Sequence, residues 1–378
     1  MRARDLGIDL AGQPGPLNAL TDVPGVQVGM VTLIEDFPGA DNACRTGVTA
    51  ILPLGRDGIG TSVPAGIYAL NGNGEMTGSH WITETGALPG PVMITNTHAV
   101  GTIHRGVIDW TSTHRPDLAV EWLLPVVAET WDGYLNSINE DYLQPHHAGQ
   151  AIDAAVSGPV PEGSCGGGTG MNCYGFKGGS GTASRVVTFA DRSYTVGAFV
   201  QANFGARHEL SILGVPMHDL DVPDPLAGDW FEKDRRHSGG QGPPGAGSVI
   251  AIIATDAPLL PQQCQALVRR VPLGLARTGT SGSHFSGDLF LGFSTGNAGA
   301  LDSGFPTGPE QLRQLACVPW NGLDRFFTAV VQSIEEAVLN ALVNNANMRG
   351  RSGHFSPALP VDQVQRRLRD RSRLLHGA

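Results

Sequence analysis

The chain has 378 residues, 41% of them hydrophobic, and a formal net charge of −10. That length fills one large domain or two smaller ones with ample core, and the acidic balance argues against binding nucleic acid or anionic membrane through bulk charge, which needs clustered Lys and Arg. The 52 Gly and 26 Pro together predict an ordered protein rich in turns and close backbone approaches. In chain order, short apolar runs at 47–53 and 91–95 read as buried strands. Apolar residues at helical spacing (Leu118, Val120, Leu123, Leu124, Val127) predict a helix over 117–130, and a second helix is expected over 145–156. Strands follow at 185–190, 194–202 and Ser248–Thr255. A helix over 261–277 is suited at its start by Pro261 and should be kinked or shortened by Pro272. After a strand at 288–295 comes the strongest helix, 323–344, with a wide apolar stripe from Phe326 to Leu342. A basic segment, 361–375, reads as an exposed helix with a solvated charged face.

No internal repeat is visible. Cys44, Cys165, Cys173, Cys264 and Cys317 are odd in number and form no CxxC pair, so reduced thiols are expected rather than a disulfide framework or zinc site. The N-terminus lacks the apolar stretch of a secretory signal, and no uninterrupted apolar run suffices to span a bilayer. A soluble, cytoplasmic protein is expected. GGGTG at 166–170 is not followed by the Lys-Ser/Thr of a phosphate loop. His146 and His147 are adjacent, a poor spacing for shared metal ligation. Neither HExxH nor GxSxG occurs.

The clearest shift in composition is 227–247, polar and charged, then Gly/Pro-rich, which reads as an exposed flexible loop. It ends at Ser248, where a six-residue apolar run begins. Taken alone, Gly247-Ser248 is an ordinary loop-to-strand junction. It also has the chemistry of a self-cleaving bond. Gly leaves its carbonyl open to attack and its backbone free to strain. Attack by the Ser248 hydroxyl, an acyl shift from nitrogen to oxygen and hydrolysis would free an α-amine. That amine, with an ordinary pKa of about 7.7–8.0, is a general base near neutral pH.

Eight blocks carry a resemblance to a known family. They are TGVTAILPLG at 46–55, NGNGEMTG at 71–78, ITNTHAVG at 94–101, AETWDGYLN at 128–136, GGGTGMNCYGFKGGSGTASR at 166–185, VQANFG at 200–205, SVIAIIATDAPLLP at 248–261 and SGDLFLGFSTGN at 286–297. With them, from about Asn18 to Arg349, the chain resembles the L-aminopeptidase/D-esterase family, which includes the β-aminopeptidases. The resemblance implies an α/β fold of four layers, α/β/β/α, like that of N-terminal nucleophile hydrolases but differently connected. It implies one autoprocessed domain, cut before Ser248 into an α-chain (1–247) and a β-chain (248–378). These stay associated, and the heterodimers assemble further. No metal or organic cofactor is expected.

By the same resemblance Ser248 is the nucleophile, and Ser286 and Asp288 form the family's Ser-x-acid pair. On a strand, residues two apart share a face, so both are expected to address Ser248, relaying a proton or orienting its α-amine. Without the family, a local turn bond explains Asp288. Asn203 matches the oxyanion donor; otherwise it caps a turn. Glu129 matches the carboxylate that binds the substrate's free amine; otherwise it is a solvated Glu at a helix C-terminus, a mildly unfavourable place for it. Trp131 departs from the family, where Tyr often stands. Its indole N–H donates but cannot accept, which bears on pocket size and hydrogen bonding. The stretch from Asn203 to Ser248 is also longer than usual. The resulting expectation is a serine aminopeptidase acting on short peptides, amino-acid amides or esters. The alternatives are an amidase for non-peptide, nylon-type amides, and a non-catalytic binding protein with the same fold.

Overall fold

Strand Ser248–Thr255 shows why this sequence builds a layered molecule. Val249, Ala251 and Ile253 point to one side and Ile250, Ile252 and Ala254 to the other, and all six are buried. A strand covered on both faces reads as a continuous apolar run, and each face needs its own layer. The structure, a computed structural model, describes all residues except Ala40, 227–246, 302–303, 306–307 and 377–378, and the side chains of 371–376.

Strands β1 (Gln27–Asp36), β2 (Ala43–Leu52), β3 (Val63–Ala69), β4 (Ala87–Leu88), β5 (Val92–Asn96) and β6 (Val126–Thr130) precede two short ladders. These ladders are β7 (Asn172–Cys173) with β8 (Phe176–Lys177), and β11 (Ser211–Ile212) with β12 (Val215–Pro216). The long hairpin β9 (Gly179–Phe189) and β10 (Arg192–Asn203) lies between them in sequence. Then come β13 (Ser248–Thr255) and β14 (Gly287–Ser294). One sheet has the order β1-β2-β5-β6 and the other β4-β3-β14-β13-β10-β9. Pairing is antiparallel except for β5-β6 and β13-β14.

The helices are α1 (Ser79–Thr85), α2 (Val100–His114), α3 (Pro145–Asp153), α4 (Pro261–Val268), α5 (Val271–Ala276), α6 (Asp324–Val343) and α7 (Val361–His376). Ile103, Val107 and Trp110 of α2 and Ala148, Ala151 and Ile152 of α3 cover one sheet, against Val48, Ala50, Leu52, Met93 and Val127. On the other sheet, α4, α5 and α6 cover the face that carries Val249, Ala251 and Ile253. Between the sheets, Phe199, Ile250, Ile252, Leu289 and Leu291 meet Ile51, Val92, Ile94 and Val126. The order of layers is therefore α/β/β/α, as expected. Helix α6 has the length and hydropathy of a membrane span, but it is a buried core helix.

Pro272 does divide the expected 261–277 helix into α4 and α5. The helix expected over 117–130 is not formed. Arg115, before Pro116, leaves the α region at φ −135°, ψ 61°, as a residue preceding proline tends to. Pro125 would lack a hydrogen bond and clash inside a helix. Val120 and Leu124 of the expected stripe are 74% and 53% exposed, so no core rewards their spacing. The real helix, α2, lies upstream, and Glu129 stands on β6. The five cysteines are free thiols. The expected loop over 227–247 lies, apart from Gly247, outside the described residues.

Candidate active site

Ser248 opens β13 at the end of a central strand and is only 2% exposed. The pleat turns its side chain the same way as Ile250 and Ile252, into the space between the sheets. Asn203, the last residue of β10, is its partner across the antiparallel ladder and shares that face. Trp131 follows β6 from the opposite sheet. Its backbone N–H donates to Ser248 Oγ at 3.2 Å, and its carbonyl accepts from Asn203 Nδ2 at 2.9 Å. Asn203 Oδ1 accepts the Asn172 N–H at 2.9 Å, which fixes the orientation of the amide. Its Nδ2 retains a second N–H beyond the one given to Trp131. The sequence drew attention to the Trp131 indole, but the contact with Ser248 is made by its main chain, which a Tyr would supply equally.

On the other side of β13, the Gly287 N–H donates to the Gly247 carbonyl at 3.2 Å. Ser286 Oγ donates to Asp288 Oδ1 at 2.5 Å, so the Ser-x-acid pair is formed. Its relation to Ser248 follows from the register. The parallel register sets Gly287 beside Ser248 and Asp288 beside Val249. Residues in register point to the same face, so Asp288 shares the face of Val249, opposite to the Ser248 side chain. The pair lies toward the main chain of Ser248 rather than beside its hydroxyl. Burial raises the Asp288 carboxyl above its ordinary range, and hydrogen bonds from Ser286, Asn71 and the Val249 backbone oppose this.

Glu129 is 3% exposed. Its Oε1 accepts the Glu75 N–H at 2.9 Å, and its Oε2 accepts the Thr97 hydroxyl. Burial raises its pKa; Thr97 and the Glu75 N–H lower it, and the Glu75 charge raises it again. Gly74 links this carboxylate to β14, the strand paired with the nucleophile's. A Cβ on Gly74 would stand 2.9 Å from Gly287 Cα and 3.2 Å from Glu129 Oε1, so only glycine fits between them.

Sequence reasoning missed Asn71, Glu75, Thr97 and Asn172, although each lies in one of the quoted blocks. It also missed two buried titratable groups nearby. Burial pushes the Asp132 carboxyl up to about 7, opposed by hydrogen bonds that include Asn136. Burial brings the Lys177 amine down to about 7; its Nζ donates to the Met171 and Gly178 carbonyls at 2.7 and 2.8 Å. Among the described residues, no group of three or more His, Cys, Asp or Glu is placed to hold a metal ion.

A four-layer fold with a buried serine opening a central strand defines a hydrolase of the N-terminal nucleophile type. Residues 18–356 match peptidase family S58, and the chain belongs to that family as an aminopeptidase. It is 44% identical to the β-peptidyl aminopeptidase BapA of Sphingosinicella microcystinivorans, over 99% of this chain and 93% of that one. It is 42% identical to the BapA of Sphingosinicella xenopeptidilytica, over 98% and 91%. Among solved structures, the L-aminopeptidase D-Ala-esterase/amidase of Ochrobactrum anthropi, described as a new variant of the Ntn hydrolase fold, superposes with a TM-score of 0.87. It is 42% identical, with 99% of both chains covered. A Burkholderia sp. β-aminopeptidase also gives 0.87, at 40% identity over 98% of this chain and 99% of that one.

Proposed function

We propose that this aminopeptidase is activated by cleavage of its own Gly247–Ser248 bond and that Ser248 is its nucleophile. The observation that carries the reading is the hydrogen-bonded set of Ser248, Trp131 and Asn203 on one inter-sheet face. In processing, Ser248 Oγ attacks the Gly247 carbonyl carbon, whose oxygen already accepts the Gly287 N–H. The acyl group passes from nitrogen to oxygen, and water hydrolyses the ester. The α-chain (1–247) and β-chain (248–378) stay associated, and the heterodimers assemble further.

The freed α-amine then takes the Ser248 hydroxyl proton as Oγ attacks a substrate carbonyl. The Trp131 N–H and the second N–H of Asn203 Nδ2 face the oxyanion that develops. The leaving amine departs with the proton, and water releases the acyl group from Ser248. The Ser286–Asp288 pair orients the α-amine, as its place on the main-chain side of Ser248 suggests. Glu129 pairs with the substrate's ammonium and so selects chain ends. Short peptides, amino-acid amides and esters are the proposed substrates. The β-peptidyl and D-Ala-esterase/amidase activities in the relatives' names support that breadth.

A denaturing mass measurement tests processing: two fragments are expected, the smaller beginning at Ser248, and a single intact chain for Ser248→Ala. A wild-type chain that stays intact on long incubation refutes it. Equal rates on a peptide with a free and an acetylated N-terminus would refute the aminopeptidase reading and favour the amidase.

A further inference from the structure

Asn71 makes three hydrogen bonds that together admit one orientation of its amide. Its Oδ1 accepts the Asp288 N–H at 2.6 Å, and since an N–H needs an oxygen, Nδ2 must face the other way. There Nδ2 donates to Asp288 Oδ2 at 2.8 Å and to the Ser283 carbonyl at 2.9 Å. With Oδ2 held, Oδ1 of Asp288 is presented to Ser286 Oγ. The loop then continues past the rest of the site. The Asn73 N–H donates to the Ser286 carbonyl at 3.2 Å, and Asn73 Nδ2 to the Phe285 carbonyl at 2.8 Å. Gly74 fills the gap between Gly287 and Glu129, and the Glu75 N–H reaches Glu129 Oε1. Five consecutive residues thus hold both carboxylates of the site.

We propose that Asn71 is a positioning residue for the aminopeptidase reaction: it locks the Asp288 carboxyl toward Ser286, while residues 71–75 tie that carboxylate to Glu129. This rests on the proton-handling role given to the Ser286–Asp288 pair. In the uncut chain the groups facing Asp288 are neutral: the Ser286 hydroxyl, the Asn71 amide and the Val249 N–H; cleavage adds the Ser248 α-amine, a cation below its own pKa, which favours the ionised carboxyl in wild type and variants alike. On the neighbouring strand β3, the titratable residue is Tyr68, opposite Phe290. Burial already opposes ionisation of Asp288. Without the Asn71 donor its carboxyl titrates higher.

The test uses Asn71→Ala and Asn71→Asp in the full chain. Asn71→Asp nearly preserves shape, so it serves if Asn71→Ala fails to fold. It sets a like charge against Oδ2, which also raises the Asp288 titration. Two readouts are taken: the Asp288 carboxyl titration by NMR with isotope-labelled aspartate, and kcat/KM against pH. Both variants should raise the Asp288 midpoint by about one pH unit or more. In Asn71→Ala the loss of kcat/KM should deepen toward acid pH, where the raised Asp288 carboxyl is protonated, with KM little changed. An unchanged midpoint overturns the proposal, as does a uniform loss of rate at every pH, the mark of a merely structural role. A wild-type protein without aminopeptidase activity would instead refute the functional reading, and the NMR titration would still decide what Asn71 does to Asp288.

Discussion

Replacing Glu129 with Gln separates charge from shape at the proposed amine site. Glu129 takes one donor on each oxygen, the Glu75 N–H and the Thr97 hydroxyl. Gln keeps an acceptor for the Glu75 N–H, and the Thr97 hydroxyl can turn to accept from the new amide. The lost interaction is the charge-assisted bond to a substrate ammonium. Hydrogen bonds to charged groups contribute about 1.5–3 kcal/mol, which is roughly 10- to 150-fold in rate. Glu129→Gln should lower kcat/KM by that factor on a peptide with a free amine and leave the slow cleavage of its acetylated form unchanged. Stability should move the opposite way. Burial raises the Glu129 pKa in the folded protein, so folding favours the protonated form. Wild-type stability is therefore lost as pH rises from the unfolded pKa through the folded one. Gln carries no such penalty. The variant should melt higher than wild type at alkaline pH, and the difference should vanish in acid, below the unfolded pKa. Equal losses on both peptides, or a lower melting temperature at alkaline pH, would refute the reasoning.

Asn203→Ala removes the proposed oxyanion donor and should lower kcat by about 10²–10³-fold with KM little changed, read by steady-state kinetics on the processed enzyme. Gly247→Ala would place a Cβ 2.1 Å from the Asn203 carbonyl oxygen and 3.0 Å from Phe204 Cα; the backbone must shift, and processing followed by mass over time should slow at least about tenfold. Away from the site, Glu336 is fully buried and accepts from Arg4, Asn18 and Arg185, itself 1% exposed. Glu336→Ala leaves the Arg185 cation unpaired and should cost about 3–5 kcal/mol in urea unfolding at neutral pH. Burial opposes ionisation of Glu336, but Arg4, Arg185 and Asn18 outweigh it and hold the carboxyl below its ordinary range. Its contribution is thus present above the unfolded pKa and lost as pH falls through the folded one, so the gap to wild type should close in acid.

The strands that frame the site were legible because they are buried on both faces. β13 is a continuous apolar run with the expected bounds, and β10 and β14 differ from the expected spans only at their ends. β1 and β3 escaped notice because each has a half-exposed end, which breaks the apolar run. The 117–130 region misled because its apparent period joins exposed or half-buried loop side chains before Pro125 to Val127, which is buried on β6, and that error put Glu129 on the wrong element. The resemblance singled out Ser248, Asn203 and Trp131, which the structure brings into contact, but which part of Trp131 meets Ser248 depends on the crossing of two sheets. Asn71 could not be read as the partner of Asp288, since 217 positions separate them and a polar loop residue carries no periodicity.

Strand order has a further consequence for the cut enzyme. In the six-stranded sheet, β14 and β13 lie side by side between β3 and β10, so the proposed β-chain donates the two middle strands and the α-chain grips them from both edges. Before cleavage, unfolding releases one chain. After it, unfolding releases two, and reassembly must meet the cost of bringing separate molecules together. The same set of contacts would then give a stability that falls on dilution. Maturation of this protein would exchange a unimolecular fold for a complex, and once its halves were separated they would have to find each other to restore the sheet.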